Sequence, residues 1–241
     1  MATLLERPST GAPAPALERR WLGRIDYREA WALQKHLVAE RAAGVIPDQL
    51  LLLEHPAVLT LGRHAAADHV IATPTLLEVR GIEVIRVERG GEVTYHGPGQ
   101  LVAYPIVRLA DRRLLLRPFV RALEAAMADT CAAYGLEAGR RDGYPGCWVG
   151  AAGANPRKIG ALGVRIERGV SYHGIALNVT TDLADYGLLD PCGMPGLTVT
   201  SIAAETGRVD ATPATGSVET VAGIFADALE RRLADPAAEA P

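Results

Sequence analysis

Four glycines and a proline fall within the twelve residues Arg89-Gly90-Gly91-Glu92-Val93-Thr94-Tyr95-His96-Gly97-Pro98-Gly99-Gln100. No uninterrupted core strand or helix tolerates that density. Backbone of this kind reaches positive φ and lets a ligand approach closely. Between the glycines stand an arginine, a threonine, a tyrosine, a histidine and a glutamine, all able to donate hydrogen bonds. Apolar runs flank the segment, Ile82 to Val87 before it and Leu101 to Ile106 after it. The pattern predicts a glycine-bent loop held by two strands, the usual place for binding or catalytic groups. Taken alone, a decorated β-turn fits the same residues.

Around this loop the elements can be read from periodicity and caps. A helix is expected from Asp26 as N-cap to Gly44, with Ala30, Trp31, Leu33, Leu37 and Val38 along one side. Leu50 to Leu53 and Val58 to Leu61 read as strands around a His-Pro turn. Thr73-Pro74 opens a short helix that Gly81 closes. A longer helix is expected from Arg117 to Tyr134, stopping at Gly135. Lys158 to Ile166 and Val170 to Val179 form a predicted hairpin turned at Glu167-Arg168-Gly169, and Val218 to Leu233 a last helix. Strands in hairpin-like groups, with helices beside them, indicate an α/β chain of the α+β type: a mixed β-sheet with flanking helices. One catalytic domain is expected over residues 19–233, between Pro/Ala-rich tails at 1–18 and 234–241 that read as disordered.

Composition removes several classes. The net charge of -3 gives no case for nucleic acid or a membrane surface. No basic start with an apolar stretch marks a signal peptide, and no apolar run reaches membrane-spanning length, so a cytoplasmic location is expected. The three cysteines have no CxxC spacing and read as reduced thiols. GxxxxGK[ST], a strand–helix GxGxxG, HExxH, an EF-hand loop and GxSxG are all missing from the sequence.

What remains is a choice among cysteines and bases. Of 25 basic residues only Lys35 and Lys158 are lysines. In such a chain a surviving lysine is a candidate for work that arginine, which holds its proton, cannot do. Lys35 sits on a helix face that solvent explains; Lys158 begins a strand, where an edge lysine is the plain alternative. Cys131 lies among helical alanines and Cys147 reads as a packed strand residue. Cys192, in Asp190-Pro191-Cys192-Gly193-Met194-Pro195-Gly196, stands in an irregular loop suited to presenting a thiol. Free cysteine, with a pKa near 8.5, is only about 3% thiolate at pH 7. An ammonium about 4 Å away contributes on the order of 4 kcal/mol at a surface-like dielectric, enough to lower that pKa by units. A Cys–Lys pair is thus a workable nucleophile, although spacing alone does not bring Cys192 to Lys158.

Four blocks together resemble the lipoyl(octanoyl) transferase family. They are Arg89 to Leu101; Arg157-Lys158-Ile159-Gly160-Ala161-Leu162-Gly163-Val164-Arg165; His173-Gly174-Ile175-Ala176-Leu177-Asn178-Val179; and Pro191-Cys192-Gly193 followed by Thr200-Ser201-Ile202. They occur in the family's order and span residues 20–232 approximately; the departures lie in the tails and in the Gly207 to Ser217 loop.

The resemblance implies the fold of the biotin and lipoate protein ligase catalytic domain. It implies a reaction in which an octanoyl group passes from octanoyl-acyl carrier protein to a lysine of lipoyl domains. The acceptors would be those of 2-oxoacid dehydrogenase complexes and the glycine cleavage H protein. Carried over by position, Cys192 would accept octanoate as a thioester and Lys158 would lower its pKa and handle protons. Arg89, Gly90, Gly91, Glu92, Val93, Thr94, Tyr95, His96, Ala161, Leu162, Gly163, Gly174, Ile175 and Ala176 would line the substrate site. No cofactor, metal, nucleic acid or membrane is implied. Thioester exchange is nearly balanced and amide formation from a thioester runs downhill, so ATP is not needed. The acceptor lysine, with a pKa near 10.4, is neutral in only roughly one molecule in 2,500 at pH 7; Lys158 or His96 would take its proton. Backbone N–H groups near Gly193 or within Gly160 to Val164 would hold the oxyanion, and the small Gly91, Gly160, Ala161 and Ala176 leave room for the acyl chain. The basic run Arg108, Arg112, Arg113, Arg117 and Arg121 would dock the acidic carrier, with a solvated helix start as the plain alternative. Two rivals stand beside this reading: an ATP-dependent lipoate or biotin protein ligase of the same fold, and a non-catalytic carrier-binding relative.

Overall fold

An unbroken run such as Leu50-Leu51-Leu52-Leu53 suits a strand covered on both faces, and the fold is organised around that burial. A computed structural model describes residues 16–190, 197–207 and 217–234. Most of the tails, the interior of the Gly207 to Ser217 loop and the stretch 191–196 with Cys192 lie outside the described residues.

Among the described residues, ten strands form two sheets. The larger runs in the order β1-β2-β6-β10-β9-β8-β7 and the smaller in the order β4-β3-β5. The strands are β1 (Leu17–Arg24), β2 (Asp48–Glu54), β3 (Val58–Leu61), β4 (Glu83–Arg86), β5 (Val93–His96), β6 (Gln100–Ile106), β7 (Ala138–Arg141), β8 (Tyr144–Val149), β9 (Arg157–Glu167) and β10 (Val170–Asn178). The helices are α1 (Tyr27–Ala42), α2 (Pro74–Val79), α3 (Leu116–Ala132), α4 (Ile202–Thr206) and α5 (Val218–Ala234). β1 and β2 are parallel, as are β3 and β4, and the remaining pairs are antiparallel. The expected mixed sheet is therefore present.

Alternate residues divide the core between the faces of the large sheet. Leu50, Leu52, Leu101, Ala103 and Leu177 join α3 and α5 in one cluster. Leu51, Leu53, Val102, Tyr104, Tyr172 and Ala176 join α1 in another. Asp26 caps α1, accepting from the backbone N–H of Arg28 at 2.8 Å, and Thr73 caps α2. The β9–β10 hairpin closes on Arg168 and Gly169, both at positive φ, which matches the twist that a two-residue turn requires.

Several expectations change. β2 and β3 do not pair across the His-Pro turn but enter different sheets. β1 begins at Leu17, inside the segment read as tail, and α5 reaches Ala234. The glycine-rich loop contains a strand of its own, β5, paired with β3. Arg112 does not face solvent with the other arginines. Its Nε donates to Asp48 at 2.6 Å, and Arg41 donates to the same buried carboxylate at 2.7 Å. A charge so enclosed is held by its partner and is lost to any docking surface.

Candidate active site

A cavity of about 510 Å³ opens where the large sheet splits. β8 pairs with β9 only from Cys147 to Val149. Before that, Pro145 has no N–H to offer, and Gly146 at φ +132° turns its own N–H to the Glu124 carboxylate of α3, 2.9 Å away. The edge of β9 beyond Gly160 is thereby left open. A Cβ on Gly146 would lie 2.5 Å from the Gly160 carbonyl oxygen and 2.9 Å from Lys158 Cε, so only glycine fits.

The glycine-rich loop roofs this opening. Gly90 N donates to the Val164 carbonyl at 3.2 Å, which shows that Val164 turns its backbone polar groups to the open edge. Parity along β9 points the Leu162 N–H the same way. Arg89 secures the loop: its guanidinium donates to the Thr60 carbonyl at 2.6 Å, to Thr60 Oγ1 at 2.8 Å and to the Gly90 carbonyl at 3.0 Å. The strand beneath must approach closely, since a Cβ on Gly163 would lie 2.6 Å from the Gly90 carbonyl oxygen.

Arg89, Gly90, Gly91, Glu92, Val93, Thr94, His96, Lys158, Ala161, Leu162, Gly163, Gly174, Ile175 and Ala176 all line the cavity. Tyr95 does not: period-two alternation turns it to the other side of β5, where its buried hydroxyl donates to Asp185 at 2.8 Å. Gly160 lies against α3 instead, where a Cβ would meet Met127 Sδ at 2.6 Å. Cys192 is outside the described residues. Cys131 and Cys147 are buried, and the hydrogen bond with Cys131, with burial adding to it, pushes the Cys147 thiol well up. Neither is an available nucleophile.

Lys158 is buried to 8% exposure with its ammonium 5.2 Å from the centre of the Trp148 ring. Its backbone is held through both of its polar groups by one segment, 198–200. Lys158 N donates to the Thr198 carbonyl and Thr200 N donates to the Lys158 carbonyl, each at 2.9 Å. The chain leaving segment 191–196 is thus fastened to Lys158. The entering end is held too, by Asp190 N donating to the His69 carbonyl at 2.8 Å. The His69 ring lies 3.3 Å from Glu92 on the cavity wall.

Sequence reasoning missed the polar end of the cavity, where Tyr27 and Tyr104 join His96 and His173. Behind them, His55 Nδ1 donates to the Ile25 carbonyl at 2.7 Å, leaving Nε2 to accept from the Tyr104 hydroxyl at 2.8 Å. The Gln100 amide donates to the Tyr95 carbonyl and to Asn178 Oδ1, so its Oε1 accepts from His96 Nδ1 at 2.8 Å. His96 Nε2 therefore carries the lone pair. The Asn178 amide continues the chain to the Thr200 carbonyl at 2.9 Å, which couples His96 to the strand beside Lys158. His173 adopts φ +53°, and neither ring nitrogen has a hydrogen-bond partner among the described residues.

These rings are held neutral. Burial, with the Arg89 guanidinium adding to it, lowers His173 to about 3. Burial lowers His55 to about 4, against the opposing bond to Ile25. Burial, then His55 and Arg89, push His96 well below the usual imidazole value. Burial raises Tyr27 to about 12. The arrangement is a largely apolar slot with a neutral hydrogen-bonding end, a buried lysine and an exposed strand edge.

Residues 26–230 match the family model described as the lipoyl protein ligase A/B catalytic domain. An octanoyltransferase of Mycolicibacterium gilvum is 44% identical over 223 residues, covering 92% of this chain and 89% of the relative. One from Solibacter usitatus is 50% identical over 185 residues, covering 77% and 81% respectively. Among solved structures, lipoate-protein ligase A bound with ATP superposes with a TM-score of 0.60 at 17% identity, over 92% of each chain. That last likeness speaks for the fold, as the mixed sheet and its helices do. By sequence, the chain belongs to the octanoyltransferase family of lipoyl protein ligase A/B catalytic domains and is an enzyme of the transferase class.

Proposed function

We propose that the enzyme carries an octanoyl group from octanoyl-acyl carrier protein to a lysine of lipoyl domains, by way of a thioester on Cys192. The acceptors are the lipoyl domains of 2-oxoacid dehydrogenase complexes and the glycine cleavage H protein, and the reaction belongs to the cytoplasm. One observation carries the reading: the backbone leaving the Cys192 segment is hydrogen-bonded to both the N–H and the carbonyl of Lys158. Only six residues separate the described anchors Asp190 and Leu197, the first beside the Glu92 wall and the second adjoining Lys158. That supports a Cys192–Lys158 pair at the cavity mouth.

The reaction then runs in two exchanges. The Cys192 thiolate, paired with the Lys158 ammonium, attacks the carrier thioester. The new C–S bond forms, the old one breaks, and the departing pantetheine sulfur takes the Lys158 proton. The acceptor ammonium next returns a proton to the neutral Lys158 amine. Its nitrogen attacks the acyl-enzyme, the second proton leaves to solvent, and Cys192 departs as thiolate beside Lys158. The Leu162 N–H on the open strand edge is a donor for the oxyanion in both steps. His96 is the weaker choice as base, because an imidazole held far below its usual pKa accepts hydrogen bonds but takes up protons poorly.

Intact-mass measurement after mixing with octanoyl-acyl carrier protein tests the intermediate. A gain of one octanoyl group, removed by hydroxylamine and missing from Cys192→Ser, is expected. The same gain in Cys192→Ser, or none in the unsubstituted enzyme, would remove the cysteine thioester from the mechanism.

A further inference from the structure

A second groove, of about 490 Å³, continues from the cavity along α3 to β7. Val120, Gly143, Tyr144 and Pro145 line both spaces, so the groove begins where the sheet splits. Its floor is partly apolar, with Leu116, Val120, Tyr144 and Pro145. Arg117 and Arg121 rise from α3 on one side, and Arg140 and Arg141 from β7 on the other. Two carboxylates stand among these four arginines. Glu124 is buried and accepts from Gly146 N, and Asp142 lies 3.2 Å from Arg140 in solvent. The balance is positive.

Arg117 and Arg140 are exposed, and Arg141 lies over the Tyr144 ring at 5.0 Å. Arginine forks match phosphate oxygens in pairs, and four of them along one groove make a positive field there. The profile is amphiphilic and directional: a neutral, partly apolar track that starts at the reaction cavity and ends among arginines. A purely acidic protein surface would not need the track. A neutral amide chain with a thioester at one end and a phosphate at the other fits the whole of it.

We propose that this groove binds the phosphopantetheine arm of the acyl donor, with the phosphate among Arg117, Arg121, Arg140 and Arg141 and the thioester at Tyr144 and Pro145. The inference rests on the proposed transfer from a carrier thioester and names how that donor is recognised. It also separates recognition of the arm from the Arg108 and Arg113 end of the basic run, which does not line the groove.

Octanoyl-phosphopantetheine and octanoyl-pantetheine, the same thioester without phosphate, test it as donors. The unsubstituted enzyme should use the phosphorylated donor with kcat/KM higher by about tenfold or more, the scale of one charge-assisted phosphate contact. The double variant Arg117→Glu/Arg140→Glu should lose that preference while its use of octanoyl-pantetheine stays within about twofold. Arg108→Glu/Arg113→Glu should keep the preference. Equal use of both donors by the unsubstituted enzyme, an equal loss on both donors in the first variant, or a lost preference in the second would overturn the groove. Transfer from neither donor by the unsubstituted enzyme would overturn the transfer reading itself.

Discussion

Lys158 is where composition and geometry converge. A chain that uses arginine almost everywhere keeps a lysine at the buried start of β9, beside a cavity and fastened to the backbone that follows Cys192. If its task were only to supply positive charge, arginine would serve. If it exchanges protons with the leaving sulfur and the acceptor amine, arginine fails, because its pKa keeps it charged. Lys158→Arg is therefore expected to lower transfer to a lipoyl domain by roughly 10²–10⁴-fold, the usual worth of a general base. Near-normal transfer by that variant would restrict Lys158 to electrostatics. The lysine was legible because its residue type is scarce in this chain. The ring cluster was not: Tyr27, His55, His96, Tyr104 and His173 come from four strands or their ends and one helix, and no local spacing relates them.

At the scale of elements, the site depends on β8 leaving β9. Gly146 makes that departure, with its positive φ and with no room for a Cβ between the Gly160 carbonyl and Lys158. Gly146→Ala is expected to cost on the order of 1–3 kcal/mol, the range for a residue held in a disfavoured conformation, and to displace Lys158. Its melting temperature and its transfer rate should fall together. Gly143→Ala has a positive φ but nothing within 4 Å of a built Cβ, so it should lose stability with less loss of rate. A Gly146→Ala enzyme with normal melting and normal rate would show that the split does not depend on this glycine. Elements with strong periodicity or caps were readable: α1 with its Asp26 cap, and the β9–β10 hairpin with its Arg-Gly turn. β1 was hidden because an edge strand with mostly exposed, charged side chains, Leu-Glu-Arg-Arg-Trp, shows no apolar alternation. β5 was hidden among glycines, and its existence follows from pairing with β3, a contact distant in sequence.

Across the whole molecule, burying neutral histidines links stability to pH. His173 near 3, His55 near 4 and the still buried His96 all sit below the value of about 6.5 that they regain on unfolding. Below that pH the unfolded chain binds more protons than the folded one, so stability rises with pH and is complete above about 6.5. His173 and His55 should each contribute roughly 1.5 kcal/mol of loss between pH 6.5 and 5, and His96 acts in the same direction. Melting temperature should fall across that window, before the carboxylates lowered by pairing, such as Glu205, begin to protonate. His173→Phe removes a ring that has no hydrogen bond among the described residues and should make the fall shallower. An unchanged slope would mean that His173 is not buried neutral in the folded enzyme.

The central claim is that this fold transfers an acyl group already activated as a thioester. The direct measurement is the intact mass of a lipoyl domain incubated with the enzyme and octanoyl-acyl carrier protein in a nucleotide-free mixture, beside free octanoate with ATP. The account predicts one octanoyl group on the domain's lysine in the first mixture and none in the second. Modification only with ATP and free octanoate would contradict it and make the enzyme a ligase.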